Sequence, residues 1–138
     1  MKKVFVMLAL VLGSSATFFG QSSRELWRQV EIIRTAHGVP HIRAENLRAA
    51  GYALAWLQCE DYGPAATPMS ILQSSGRRAS VDGSDALEGD FYILRHRERT
   101  LKNYSSLSRD VREVYEGFAA GVNRYIELHR SDFPPTNA

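Results

Sequence analysis

Cysteine is nearly absent from this 138-residue chain, which contains Cys59 alone. A single cysteine forms no internal disulfide, which excludes the disulfide-rich class of small exported domains. One cysteine and four scattered histidines also give no zinc-binding pattern. The residues around Cys59 are apolar at helical spacing, so we predict a buried thiol; pairing with another chain is the alternative.

Local patterns that mark catalytic sites are missing as well. The sequence has no Gly-x-Ser-x-Gly nucleophile elbow, no His-Glu-x-x-His motif and no glycine-rich phosphate loop. His37 and His41 lie beside a predicted turn, where a structural role is favoured. Glu60 and Asp61 are adjacent, so on a helix they should point in different directions and form no acid–base pair. The residues therefore predict no catalytic, cofactor-binding or metal-binding side chain in this chain.

Residues 1–20 have the pattern of a secretory signal peptide. Lys2 and Lys3 precede the apolar run 4–12, and small residues follow, which fits cleavage after Ala16 or Gly20. This pattern predicts export to the periplasm or the medium. An uncleaved membrane anchor is the alternative, although the apolar run is shorter than the ~20 residues that a spanning helix needs.

Loss of the signal peptide also removes the excess of positive charge. The formal net charge of the whole chain is +2. Lys2 and Lys3 are the only charged residues before Arg24, so the remaining chain is neutral. A neutral domain has no general attraction for nucleic acid, and we expect neither a nucleic-acid partner nor a membrane partner after cleavage.

Residues 21–138 predict one small, mostly helical α+β domain that begins with a short β-hairpin. Val30–Arg34 is β-branched and predicts a strand, and a second strand is expected at 41–44. Gly38 and Pro40 suit the reversal between them. Asn46 is a favourable N-cap for a helix from Leu47. The further expected elements are a break at Gly63-Pro64, helices at about 68–75, 91–102 and 108–129, and an end at Pro134-Pro135.

Side-chain patterns add three expectations about these elements. Residues 76–90 are rich in glycine and aspartate and predict an irregular loop, without the acidic spacing of a calcium-binding EF-hand. A basic cluster in the third helix predicts a solvated face (Arg95, Arg97, Arg99, Lys102). An apolar stripe in the last helix predicts core packing, beside a shallow groove at Gly117 and Gly121 (Val111, Val114, Tyr115, Phe118, Ala119, Val122, Tyr125, Ile126).

Three ordered motifs carry more specific information. They are Arg34-Thr35 with Gly38-Val39-Pro40-His41-Ile42 and Ala44, then Gly51-Tyr52-Ala53-Leu54-Ala55-Trp56 leading to Glu60-Asp61, then Phe118-Ala119-Ala120-Gly121-Val122-Asn123-Arg124-Tyr125-Ile126. Together they cover about residues 28–135. This set resembles the start of penicillin acylases and of their relatives, the acyl-homoserine-lactone and aculeacin-type acylases. Thr35 in place of aspartate leans toward the acyl-homoserine-lactone branch.

The resemblance implies an N-terminal-nucleophile hydrolase with an αββα sandwich fold. In such enzymes a longer precursor cuts itself into an α chain and a larger β chain. The new terminal Ser, Thr or Cys of the β chain attacks a linear amide, and its own α-amine acts as the base. The resemblance implies no cofactor in this chain and allows calcium in the complete enzyme. The expected partners are the missing parts of the α and β chains and a small-molecule amide.

The chain departs from that family pattern at two places. It ends at Ala138, before any processing junction, and Tyr62-Gly63-Pro64 follows Asp61 where relatives usually continue the helix. We therefore expect 21–138 to be an incomplete part of an exported acylase α chain that is inactive alone. The alternative is a non-catalytic exported binding domain that kept the first acylase motif.

Overall fold

A computed structural model of the protein describes residues 25–133, which begin with an antiparallel hairpin. A 3₁₀ turn at Leu26–Gln29 leads into β1 (Val30–Arg34), which pairs with β2 (Pro40–Ala44). The register joins Val30 to Ala44 and Arg34 to Pro40. Both predicted strands are confirmed, the second beginning one residue earlier. Gly38 takes the positive φ of 78° that the reversal needs.

The predicted signal segment, residues 1–20, lies outside the described residues. Within 25–133, no helix combines the length and apolarity required to cross a bilayer.

Helix α1 (Leu47–Ser74) starts at its predicted cap and changes direction at its predicted break. The Asn46 side chain accepts a hydrogen bond of 2.9 Å from the Ala49 amide. Gly63 has φ 69° and ψ −176°, so two helical segments meet at a kink there. Pro64 then occupies the first turn of the second segment, where its missing amide hydrogen costs little. That segment therefore begins earlier than the predicted residue 68.

The loop predicted for residues 76–90 is wrong, because this stretch is largely helical. It contains α2 (Ala79–Asp82), a 3₁₀ turn (Gly83–Ala86) and the first turn of α3 (Leu87–Asn103). The nearly buried Asp90 carboxylate accepts from the Arg78 amide (2.9 Å) and from the Ala79 amide (2.7 Å). A side chain from the following helix thus satisfies the free amides at the start of α2.

Helix α4 (Arg109–Leu128) confirms the predicted last helix and its Ser108 cap. It packs against the first half of α1, with Gly117 beside Arg48, Gly121 beside Tyr52 and Tyr125 beside Trp56. Both series advance by four residues in the same direction, so α1 and α4 run parallel. A 3₁₀ turn at Arg130–Asp132 follows α4.

The face that α4 buries differs from the predicted apolar stripe. Gly117 and Gly121 are buried, whereas Val111, Tyr115 and Ala119 are exposed. The prediction of a core position is therefore wrong for these three. Glycines permit a closer approach than large side chains do, so the helix is rotated toward them. The buried hydrophobic residues among 25–133 are correspondingly small for the most part (Leu26, Ala49, Tyr52, Ala53, Ala55, Leu57, Cys59).

Substitution of Gly117 tests this close contact. A Cβ at residue 117 would overlap the Arg48 carbonyl group, lying 2.8 Å from its carbon. We expect Gly117→Ala to lower the free energy of unfolding by about 2 kcal/mol, since helix backbones must separate. Urea titration followed by far-UV circular dichroism measures the change.

The matched control is Gly89→Ala in α3, where an added Cβ meets no atom within 4 Å. It should leave stability unchanged or raise it by about 0.5 kcal/mol through helix propensity. Equal effects of the two substitutions would contradict the assignment of Gly117 to the helix interface.

Candidate functional site

Arg34, at the end of β1, joins the hairpin turn to the acidic end of the first α1 segment. Its Nη1 donates to the Gly38 carbonyl (3.1 Å). Its Nη2 donates to Asp61 Oδ1 (2.7 Å) and to Glu60 Oε2 (3.2 Å). The hydrogen bonds to Asp61 and Glu60 raise the pKa of the Arg34 guanidinium above its ordinary value. The expectation that the two adjacent carboxylates point apart is wrong, because both converge on one guanidinium.

Trp56 extends this contact from α1 to the end of α4. Its indole Nε1–H donates to Glu60 Oε1 (2.9 Å), one helical turn ahead. Its ring meets the Tyr125 ring edge-on at 5.0 Å and the His129 ring at 5.7 Å between centroids. Tyr125 and His129 stack on each other at 4.1 Å. The indole therefore connects the Glu60 carboxylate to an aromatic cluster in α4.

These six residues bring the three sequence motifs together, and we name them the three-segment junction (Arg34, Trp56, Glu60, Asp61, Tyr125, His129). Arg34 belongs to the first motif, Glu60 to the second and Tyr125 to the third. Each charged group in the junction has an opposite charge or a polar donor beside it. This geometry suits the fixing of segments relative to one another more than proton transfer.

An apolar groove of about 390 Å³ opens beside the junction, between the hairpin and the two parallel helices. Its walls come from β1, α1 and α4 together with the preceding 3₁₀ turn (Trp27, Val30, Ile32, Tyr52, Ala53, Trp56, Arg124, Leu128). Trp27 and Leu128 at its rim are exposed.

Cys59, His37 and His41 are not among the six residues of the junction. Cys59 is buried, as predicted, and burial raises the pKa of its thiol against the opposing hydrogen bond with Thr67. A protonated, buried thiol is a poor nucleophile. His37 and His41 are exposed on the hairpin. No group of three or more His, Cys, Asp or Glu side chains in this part of the chain could hold a metal ion.

Some of these contacts had a local signal in the sequence and others had none. Trp56 and Glu60, like Tyr125 and His129, are four residues apart on one helix, where side chains meet. The pairing of Arg34 with Glu60 and Asp61 crosses 26 and 27 residues and has no local signature. The salt bridge of Arg48 with Glu116 is equally long-range, and Tyr104 Oη donates to the same carboxylate (2.7 Å).

Comparison with known proteins assigns the class. The sequence profile of the penicillin amidase family matches residues 29–137. This match covers all three motifs and all six residues of the junction. The chain belongs to the penicillin amidase family.

Two relatives are acyl-homoserine lactone acylases. The chain is 30% identical to acyl-homoserine lactone acylase PvdQ of Pseudomonas fluorescens (strain Pf0-1), over 93% of this chain and 17% of that protein. It is 28% identical to acyl-homoserine lactone acylase QuiP of Pseudomonas fluorescens (strain Pf-5), over 83% of this chain and 14% of that protein. The chain thus spans about a sixth of the length of these relatives.

A solved structure shows the same fold. The thermostable penicillin G acylase from Alcaligenes faecalis superposes with a TM-score of 0.60 and 23% identity, over 77% of this chain and 58% of that chain. The predicted α+β class is confirmed, because residues 25–133 are mostly helical and begin with a short antiparallel hairpin.

Replacement of Arg34 tests the junction. We expect Arg34→Met to destabilise the chain, because Glu60 and Asp61 would then repel each other without a shared cation. The loss should shrink in high salt, since these groups are solvent-exposed and screened. Urea titrations at low and high ionic strength measure it.

Arg43→Met is the matched control, because Arg43 lies on the same hairpin and its ion pair among residues 25–133 is with Glu31 and not with α1. Glu60→Gln with Asp61→Asn should relieve most of the Arg34→Met penalty. A penalty that is the same in the presence and absence of both carboxylates would refute the junction.

A second prediction concerns alkaline pH. Burial raises the pKa values of Cys59, Tyr52 and Tyr125 above their ordinary values of 9.0 and 10.0. The unfolded chain loses these protons first, so the free energy of unfolding should fall as pH rises above 9.0. Urea titrations across this range should show a shallower fall for Cys59→Ala. An unchanged slope would mean that the Cys59 thiol ionises equally in both states.

Proposed function

We propose that this chain is the N-terminal part of the α chain of an exported amide hydrolase, and that it supplies structure and not the nucleophile. The observation that carries the proposal is the three-segment junction. The three motifs that carry the family resemblance are far apart in sequence, yet Arg34, Glu60 and Tyr125 of these motifs meet in one cluster. A family signature of this kind is expected of a scaffold that places other segments.

The junction gives this scaffold a defined mechanical role. Arg34 holds the hairpin turn against the end of the first α1 segment through three hydrogen bonds. Trp56 and Tyr125 hold α4 against the same end. The hairpin and α4 are therefore held at fixed positions relative to α1. A catalytic segment packed on them would be held in a fixed position as well.

The chemistry proposed for the complete enzyme is hydrolysis of a linear amide. A terminal Ser, Thr or Cys attacks the carbonyl carbon, its own α-amine accepts the proton, and the amine product leaves. Water then hydrolyses the acyl-enzyme, and hydrogen-bond donors stabilise the oxyanion in both steps. The buried state of Cys59 supports placing the nucleophile outside residues 25–133. The names of the relatives support N-acyl substrates such as acyl-homoserine lactones or penicillins.

Export is part of the same proposal. The signal-like pattern of residues 1–20 supports it, with a new N-terminus at Thr17 or Gln21. The working compartment would then be the periplasm or the medium, where the α and β chains assemble after the precursor is cut.

Two measurements on the chain expressed with its natural N-terminus test the proposal. Incubation with an acyl-homoserine lactone and with a penicillin should release no acid, whereas the polypeptide extended by its downstream coding sequence should cleave one of them. The intact mass of the exported chain should correspond to a polypeptide that begins at Thr17 or Gln21.

Each contrary outcome would exclude one part of the proposal. Turnover by the 138-residue chain alone would place a nucleophile within it. Downstream DNA without a Ser, Thr or Cys junction and β chain would remove the enzymatic role and favour a non-catalytic binding domain. An intact Met1 in a membrane fraction would replace export by membrane anchoring.

A further inference from the structure

A cavity of about 230 Å³ lies at the kink of α1, away from the three-segment junction. The first α1 segment contributes Cys59 to its wall, the second contributes Thr67 and Ile71, and α4 contributes Phe118 and Val122. Ile71 is exposed, so the cavity opens to solvent on that side. An apolar cavity of roughly 150 Å³ is large enough for benzene. This cavity therefore has room for a molecule with a single ring.

The Thr67 hydroxyl is a polar group that the fold leaves unmatched in this cavity. Thr67 is 6% exposed, and apart from its contact with the Cys59 thiol its Oγ1 has no hydrogen-bond partner among residues 25–133. A threonine inside a helix can donate to the carbonyl four residues earlier. That residue is Gly63, whose ψ of −176° lies outside the helical range. The kink thus accounts for the unmatched hydroxyl.

Two serine hydroxyls of the same wall are already engaged. Ser70 Oγ donates to the Ala66 carbonyl (3.1 Å), and Ser74 Oγ donates to the Ile71 carbonyl (3.1 Å). Burial of a hydroxyl without a well-aligned partner is unfavourable. A bound molecule that places an oxygen beside Thr67 would remove this cost.

The charge of the cavity wall determines which kind of molecule fits. None of the described residues that line it is an Asp, Glu, Lys, Arg or His. Burial raises the pKa of the Cys59 thiol, so the sulfur is uncharged at neutral pH. A charged group taken from water into this wall would meet no opposite charge. The wall therefore favours an uncharged molecule.

We propose that this cavity binds an uncharged organic molecule with a single ring and one hydroxyl or carbonyl oxygen. The ring packs on the apolar wall formed by Ile71, Phe118 and Val122, and the oxygen forms a hydrogen bond with Thr67 Oγ1. The site shares no residue with the three-segment junction and requires no catalytic nucleophile. It is therefore independent of the proposed function.

The test uses phenol as the probe and two-dimensional ¹H–¹⁵N NMR of the 138-residue chain as the measurement. Phenol should shift the amide signals of Cys59, Thr67 and Phe118 in a saturable manner, benzene should bind more weakly, and benzoate should leave these signals unchanged. Thr67→Val, which replaces the hydroxyl by a methyl group, should weaken phenol binding by about fivefold. Benzene should bind this variant as well as it binds the wild type.

Ser70→Ala is the matched control, because the hydroxyl that it removes already donates to the Ala66 carbonyl. Its affinity for phenol should stay within about twofold of wild type, since no hydrogen bond to the probe is lost. Equal weakening by Thr67→Val and Ser70→Ala would overturn the assignment of Thr67 as the group that binds the oxygen.

The Cys59 thiol gives a second readout, because it is the single cysteine of the chain. Methyl methanethiosulfonate transfers its methylthio group to the Cys59 sulfur and releases methanesulfinate, and mass spectrometry follows the product. With phenol at about ten times its dissociation constant, this reaction should be about tenfold slower, because only the free chain exposes the sulfur. Amide signals and a thiol reaction rate that are both insensitive to phenol would refute the site.

A comparison with the polypeptide extended by its downstream coding sequence separates a ligand site from a packing site. Phenol should shift the same amide signals in the extended polypeptide. A response in the 138-residue chain alone would mean that other segments of the acylase fill the cavity, which would overturn the proposal. A locus without a downstream β chain would remove the proposed function, and phenol binding at Thr67 would still support this site.

Discussion

Contact between two helix backbones, without intervening side chains, is the constraint on which residues 25–133 depend. Gly117 and Gly121 of α4 lie against the carbonyl groups of Arg48 and Tyr52 in α1. Because glycine has no side chain, the backbones of α1 and α4 approach each other closely. Side chains at the margin of this contact can then meet across the two helices. The Arg48–Glu116 salt bridge and the Trp56–Tyr125 contact both lie along that margin.

The junction depends on this contact. Trp56 can reach both Glu60 and Tyr125 because α1 and α4 are parallel and close at that level. Arg34 then binds the Glu60 carboxylate, which Trp56 helps to orient, together with Asp61. The aromatic cluster thus depends on the backbone contact between α1 and α4, and the ion pairs that hold the hairpin depend on the aromatic cluster. Arg34, Glu60 and Tyr125, one residue from each of the three motifs, lie along this series of contacts.

Sequence patterns predicted the elements whose causes are local. The hairpin, the Asn46 and Ser108 caps and the break at Gly63 follow from residues next to them. The helix at residues 79–82 was not predictable in this way, because Asp90 satisfies its amides from another helix. The rotation of α4 was also missed, because periodicity counts large apolar side chains and gives no weight to glycine. The pairing of Arg34 depends on the tertiary fold and was invisible to spacing rules.

Parallel neighbours impose an order of events on the growing chain. The end of α1 lies far from the start of α4, so the intervening helices must carry the backbone back along the full length of the pair. During synthesis, the face of α1 that carries alanine and glycine therefore stays uncovered until about residue 125 has been added to the chain. Contacts of such large sequence separation form slowly. The hairpin differs in this respect, because its strands pair with each other and Arg34 binds the end of the first α1 segment, so its partners are all synthesised before α4.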